Sequence, residues 1–109
     1  MGEKIRAIVK RPDEEIGHVT NVSNTLSNLQ NIVGGNIEPV SIRPGVLVIC
    51  NEEGRIKGMD LNCIVKVDTL FGPGMIDFYG EIIVVGTDRT EFCDLPNWVT
   101  RKEWASWLA

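Results

Sequence analysis

Histidine occurs once in these 109 residues, cysteine three times, and the aromatic side chains are three Trp, three Phe and one Tyr. Each scarcity closes off a class of chemistry. Nucleophilic catalysis needs a nucleophile, a base and an orienting group in hydrogen-bonded contact, and the usual base at neutral pH is His. The only candidate, His18, lies in a strand-like run with neither a G-x-S-x-G nor a cysteine-protease signature near it. Cys50, Cys63 and Cys93 are odd in number and widely spaced, with no C-x-x-C pair, which argues against a disulfide framework and a zinc knuckle. There is also no H-E-x-x-H and no EF-hand loop, so no metal is expected. Gly34-Gly35 and Gly72-Pro73-Gly74 match neither a P-loop nor a dinucleotide fingerprint and fit turns better, so no cofactor is expected.

No apolar run approaches the ~20 residues of a spanning helix, and no membrane partner is expected. The opening MGEKIRAIVKRPDEE is charged at nearly every other position and lacks a signal-type apolar centre, which predicts a cytoplasmic protein. Charge is mildly acidic, 11 Lys+Arg against 15 Asp+Glu for a net −4. Lys4, Arg6, Lys10 and Arg11 are followed at once by Asp13-Glu14-Glu15, with no interleaved aromatics, so a nucleic-acid partner is not expected.

What is present is enough apolar residue, 43%, to build one core in one domain spanning residues 1–109. Lys4 to Lys10 alternates, with Ile5, Ala7 and Val9 on one face and Lys4, Arg6 and Lys10 on the other, as a half-buried strand does. Ile16 to Val22 reads as a short second strand. Leu26, Leu29, Ile32 and Val33 recur at helical spacing, with Ser23 or Asn24 as cap and Gly34-Gly35 as stop, predicting a helix over about 25–33. Pro39 confines the strand at Ile37 to Ile42 to an edge or a bulge, and Pro44-Gly45 fits a type II turn into Val46 to Cys50. That run and Glu81 to Val85 are apolar on both faces and read as central strands.

Asn51-Glu52-Glu53-Gly54 suggests a hairpin turn, with Gly54 in the left-handed region and a strand resuming at Arg55. Ile64 to Val67 reads as a short strand and Leu70 to Met75 as a tight loop with exposed apolar residues. Gly86 to Arg89 is predicted to turn into a strand at Thr90 to Cys93. Thr100 and Glu103 have the spacing of a capping box, Val99 and Trp104 that of a staple, and a helix is predicted over about 100–108. Strands outnumber helices without β-α-β-α alternation. The expected class is α+β, a mainly antiparallel and barrel-like sheet covered by two short helices.

Carboxylates are the remaining candidates for chemistry: Glu52, Glu53, Asp77 and Glu81 converge on one pocket if the fold brings them together. Three stretches carry a resemblance: Asn24 to Gln30 through Val33-Gly34-Gly35-Asn36-Ile37-Glu38, then Ile49 to Arg55 with Asn62, then Tyr79 to Gly86. In their order and spacing the chain resembles the bacterial and phage proteins grouped as domain of unknown function 3846, over roughly residues 5–90. The resemblance implies a protein carried by phages, plasmids or other mobile elements, with no established activity. Its motif positions here are Asn51, Glu52, Glu53, Gly54 and Asn62.

The expected function is therefore a non-catalytic binding module for a host protein or small signalling molecule. Its expected contact residues are Asn51, Glu52, Glu53 and Asn62, with Trp104 and Trp107, whose apolar helix face either folds back on the sheet as core or meets a partner, while Gly34, Gly35 and Gly54 shape turns. The alternatives are a small hydrolase or nucleotide-modifying enzyme using Glu52, Glu53 or Asp77, and a structural homo-oligomer paired through the edge strand near Pro39 or the C-terminal helix.

Overall fold

The computed structural model describes residues 3–109. Eight strands and two helices follow in the order β1 (Lys4–Lys10), β2 (His18–Ser23), α1 (Leu26–Val33), β3 (Ile37–Arg43), β4 (Val46–Asn51), β5 (Leu61–Thr69), β6 (Gly72–Tyr79), β7 (Ile82–Asp88), β8 (Glu91–Cys93) and α2 (Arg101–Ser106). The main sheet runs β2-β1-β7-β4-β3, all neighbours antiparallel, with β8 also pairing β7. β5 and β6 form a separate antiparallel hairpin.

The α+β class and the antiparallel sheet are as expected, but the sheet does not close into a barrel. Closure requires the outermost strands to pair, whereas β2 pairs only with β1 and β3 only with β4. Pro39 in β3 has no N–H to give a further neighbour, and the β5–β6 hairpin lies over the sheet instead of extending it.

β4 and β7 are the central strands because their side chains find apolar partners on both faces. Ile8, Val48, Cys50, Ile82 and Val84 share one buried cluster with Val65 and Phe78 of the hairpin and with Leu95, Trp104 and Trp107. Ala7, Val9, Ile49, Ile83 and Val85 share the other with Leu29 and Val33 of α1. The result is three layers: α1, the sheet, then the hairpin with α2.

Several local readings need correction. Thr25, not Ser23 or Asn24, caps α1, its hydroxyl accepting from the Asn28 N–H at 3.2 Å, while Gly34 ends the helix at φ +82° as the stop signal requires. β2 begins at His18, not Ile16, and β8 at Glu91, with Arg89 in the turn at φ +60°. β5 is nine residues long, and Gly72-Pro73-Gly74 opens β6, leaving only Leu70-Phe71 as turn; cross-strand pairing from Leu61 to Tyr79 overrides the local turn signals. No strand resumes at Arg55, because residues 52–58 coil through consecutive turns. Lys10 is buried, since β1 has apolar Ile8 on its supposedly polar face and dips under the hairpin there. At α2, Thr100 accepts from the Glu103 N–H at 3.1 Å, but the Glu103 carboxylate accepts from Trp107 Nε1 at 3.0 Å and leaves the capping box half made. α2 stops at Ser106, where the chain leaves the helix to pair with β5: the Trp107 carbonyl accepts from the Lys66 N–H, and Leu108 bridges to Val65.

Candidate functional site

The turn after β4 is built around one side chain. Asn51 is buried; its Oδ1 accepts from the Glu53 N–H at 2.8 Å and its Nδ2 donates to the Val33 carbonyl at 3.1 Å. It thereby ties the C-terminus of α1 to the start of the turn. The Glu52 N–H donates to the Asn36 carbonyl at 2.9 Å, fixing the turn to the chain entering β3. Gly54 does not take the left-handed conformation expected of it; that role falls to Gly58 at φ +72°. Glycine is needed at 54 for space: a Cβ there sits 3.2 Å from the Tyr79 carbonyl oxygen. The turn therefore lies directly against the end of β6.

Between this turn, the ends of β3 and β4, and β6 lies a cleft of about 530 Å³. Its walls are Glu38 and Val40 of β3, Cys50 and Asn51 of β4, Glu52, Gly54 and Arg55 of the turn, and Met75 through Tyr79 of β6. The lining includes Glu38, Glu52 and Asp77 and one guanidinium, Arg55, which stands 5.9 Å from the Tyr79 ring centroid; Asp77 alternates on β6 with Ile76 and Phe78, which pack into the core, so its exposed side chain lies at the rim on the hairpin's outer face. The cleft's one thiol, Cys50, donates to the Glu38 carbonyl at 3.4 Å. Burial first, and the Glu38 carboxylate second, push its pKa up to about 11. At neutral pH it is a protonated thiol and a poor nucleophile. The chain's single histidine is elsewhere, exposed beside Glu14, whose carboxylate is 3.1 Å from its Nδ1. Among the described residues no group of three or more His, Cys, Asp or Glu is arranged to hold a metal ion.

The structure thus brings together Asn51, Glu52, Gly54 and Asp77 and separates the other candidates from them. Glu53 pairs with Lys57 at 3.5 Å on the outer side of the turn. Asn62 does not reach the turn: it is buried with Lys10 and lines a different cavity, of about 400 Å³, with Glu14 and Ala105. Gly34 and Gly35 support the site indirectly, since a Cβ on Gly35 comes within 2.8 Å of Asn51 Nδ2. Trp104 and Trp107 are 0% and 4% exposed, so of the two readings of this helix face it is core packing that the structure shows, and the face is not open to a partner; Trp104 Nε1 donates to the Ile16 carbonyl at 2.8 Å. Trp98 is the exposed tryptophan, at 53%. Glu38, Arg55 and Tyr79 escaped the sequence reading because they come from three separate segments.

Fold and cleft together define a small α+β protein with an acidic cleft between its sheet and a covering hairpin. The family described as Domain of unknown function (DUF3846) matches residues 5–106, and the chain belongs to it. The match reaches through α2, well past residue 90 where the resemblance was expected to end. No curated protein and no solved structure matches the chain. Among the described residues no helix is long and apolar enough to cross a membrane.

Proposed function

We propose that the protein is a non-catalytic binding module, carried by a phage or other mobile element, that engages a host partner through the cleft lined by Glu38, Glu52 and Asp77. The observation that carries this reading is the cleft's charge: Glu38 and Glu52, with Asp77 at the rim, outnumber Arg55 and favour a ligand presenting an amine or guanidinium. Asn51 serves as the post on which Glu52 is held, and Glu53 and Asn62 act outside the contact surface. The enzymatic alternative keeps Glu52 and Asp77 in one cleft, but a nucleotide's phosphates meet repulsion there, and the neighbouring thiol is held protonated. The setting on a mobile element rests on the family resemblance.

The test is a ¹⁵N-HSQC titration of the protein with arginine amide. Chemical-shift changes are expected to concentrate at residues 38–40, 50–55 and 75–79 and to fall severalfold in Glu38→Gln. Changes scattered over all surface carboxylates, or unaffected by Glu38→Gln, refute the reading.

A further inference from the structure

Five consecutive residues of β6, Met75 to Tyr79, line the cleft. A strand that turns a face to a cavity contributes every second residue, so the cleft meets β6 along its edge. That edge is open. Lys66 lies opposite Met75, and Ile64 opposite Asp77. The Lys66 N–H donates to the Trp107 carbonyl at 2.8 Å and the Ile64 carbonyl accepts from the Ala109 N–H at 2.9 Å, so both point away from β6. In an antiparallel pair, residues opposite each other point their backbone groups both inward or both outward, so Met75 and Asp77 also point outward, on the far side. There, β6 has no neighbouring strand, and among the described residues neither N–H has a hydrogen-bond acceptor. The other edge near the cleft, β3, is blunted by Pro39, which leaves β6 as the edge able to pair.

We infer that the cleft accepts an extended segment of a partner protein, which adds as a strand to the β6 edge and directs a Lys or Arg side chain toward Glu38 and Glu52. The inference rests on the binding reading above and names the occupant. Backbone pairing with Met75 and Asp77 supplies affinity, and the acidic wall selects a basic side chain. A second copy of this chain fits poorly, because its own β6 brings Asp77 and no Lys or Arg to a cleft lined by Glu38 and Glu52.

Two synthetic octapeptides test it: capped (Val-Lys)₄, and the same sequence N-methylated at every backbone amide, which keeps charge and apolar content but has no N–H to donate. Both are titrated into the full-length ¹⁵N-labelled protein. The unmodified peptide is expected to move the Met75 and Asp77 amides downfield and slow their hydrogen exchange at least tenfold, and the N-methylated peptide to bind at least tenfold more weakly. Glu38→Gln is expected to weaken the unmodified peptide severalfold while leaving the spectrum of the free protein otherwise intact. Equal binding of the two peptides at the cleft overturns strand addition and leaves the cation-binding reading standing. Absence of any cleft response to either peptide and to arginine amide overturns both. Sedimentation as a dimer, with the Met75 and Asp77 amides already protected without peptide, overturns the partner's identity in favour of a second copy.

Discussion

Lys10 and Asn62 hold each other by three hydrogen bonds: Lys10 Nζ donates to Asn62 Oδ1 at 2.8 Å and to its carbonyl at 3.2 Å, and Asn62 Nδ2 donates back to the Lys10 carbonyl at 2.8 Å. Asn62 Nδ2 also donates to the Gly80 carbonyl at 2.7 Å, so one side chain joins the ends of β1, β5 and β6. Lys10 is 2% exposed, and its other acceptor is the Arg11 carbonyl, at 3.4 Å; no carboxylate neutralises it.

A buried ammonium held by neutral oxygens makes the pair asymmetric. Asn62→Leu strips the charge of its best acceptor and orphans two carbonyls, and it is expected to cost about 3–5 kcal/mol in urea unfolding. Lys10→Met removes the charge itself and is expected to cost about 1–2 kcal/mol. The double variant should therefore be more stable than Asn62→Leu alone, a coupling that a surface lysine does not produce. Additive losses would show that Lys10 is solvated.

This pair also marks the limit of what the chain reveals before folding. Strands 4–10, 37–43 and 46–51 and helix 26–33 were legible because their apolar residues repeat at strand or helix period and Gly34 or Pro44-Gly45 punctuates them. β6 was not, because Gly72-Pro73-Gly74 is turn-like in isolation and becomes strand only through its register with β5. The site divided the same way. Asn51, Glu52 and Gly54 are adjacent in sequence and were readable as a unit, whereas Glu38 and Asp77 join them only through the crossing of the hairpin over β3 and β4. Lys10 looked solvent-facing by alternation, since nothing local shows that a hairpin 50 residues later covers it.

Two glycines of the site region are required for different reasons, and two substitutions at each separate them. Gly34 sits at φ +82°, where a Cβ would make only an ordinary van der Waals contact, 3.5 Å from Met59. Gly34→Ala is expected to cost about 1–2 kcal/mol through the left-handed conformation alone, and Gly34→Asn less, because Asn tolerates that region. At Gly54 the obstacle is the Tyr79 carbonyl at 3.2 Å, and backbone cannot swing aside as a side chain does. Gly54→Asn should therefore be no better than Gly54→Ala, and both should shift the Tyr79 amide resonance. Recovery by Asn at position 54 would assign Gly54 a conformational role.

The tryptophans should separate by burial. Trp104 is fully buried, packs edge-on to Trp107 with ring centroids 6.2 Å apart and donates to the Ile16 carbonyl, so Trp104→Ala is expected to cost about 3–5 kcal/mol and Trp104→Phe somewhat less. Trp98 touches Trp107 from the outside at 5.9 Å, and Trp98→Ala is expected to cost under about 1 kcal/mol. Thermal unfolding of the three variants checks the order. A small loss at Trp104 would mean that α2 docks weakly and leaves the aromatic face free for a partner.

Thiol ionisation gives the protein an alkaline limit. Burial is the main cause that pushes Cys50 and Cys63 from an ordinary value near 9.0 up to about 11. The folded pKa lies above the unfolded one, so below about pH 9 both states keep the protons and the stability contribution is fully present. As pH rises from about 9 to about 11, the unfolded chain ionises first and binds fewer protons than the native state, and stability falls with pH across that window. The Cys50→Ala, Cys63→Ala double variant lacks this component while keeping every Lys and Tyr. It starts less stable below pH 9, because one buried and one half-buried side chain are trimmed, and the gap to the parent protein should narrow steadily toward pH 11. Half-buried Cys93, raised by burial and then by Asp88 and Asp94, should be alkylated in the folded protein ahead of buried Cys50, which is labelled only at rates set by opening. Parallel stability curves for parent and variant from pH 8 to 11 would show that neither thiol is shielded from water, and with that the protonated state assigned to Cys50 in the cleft would lose its basis.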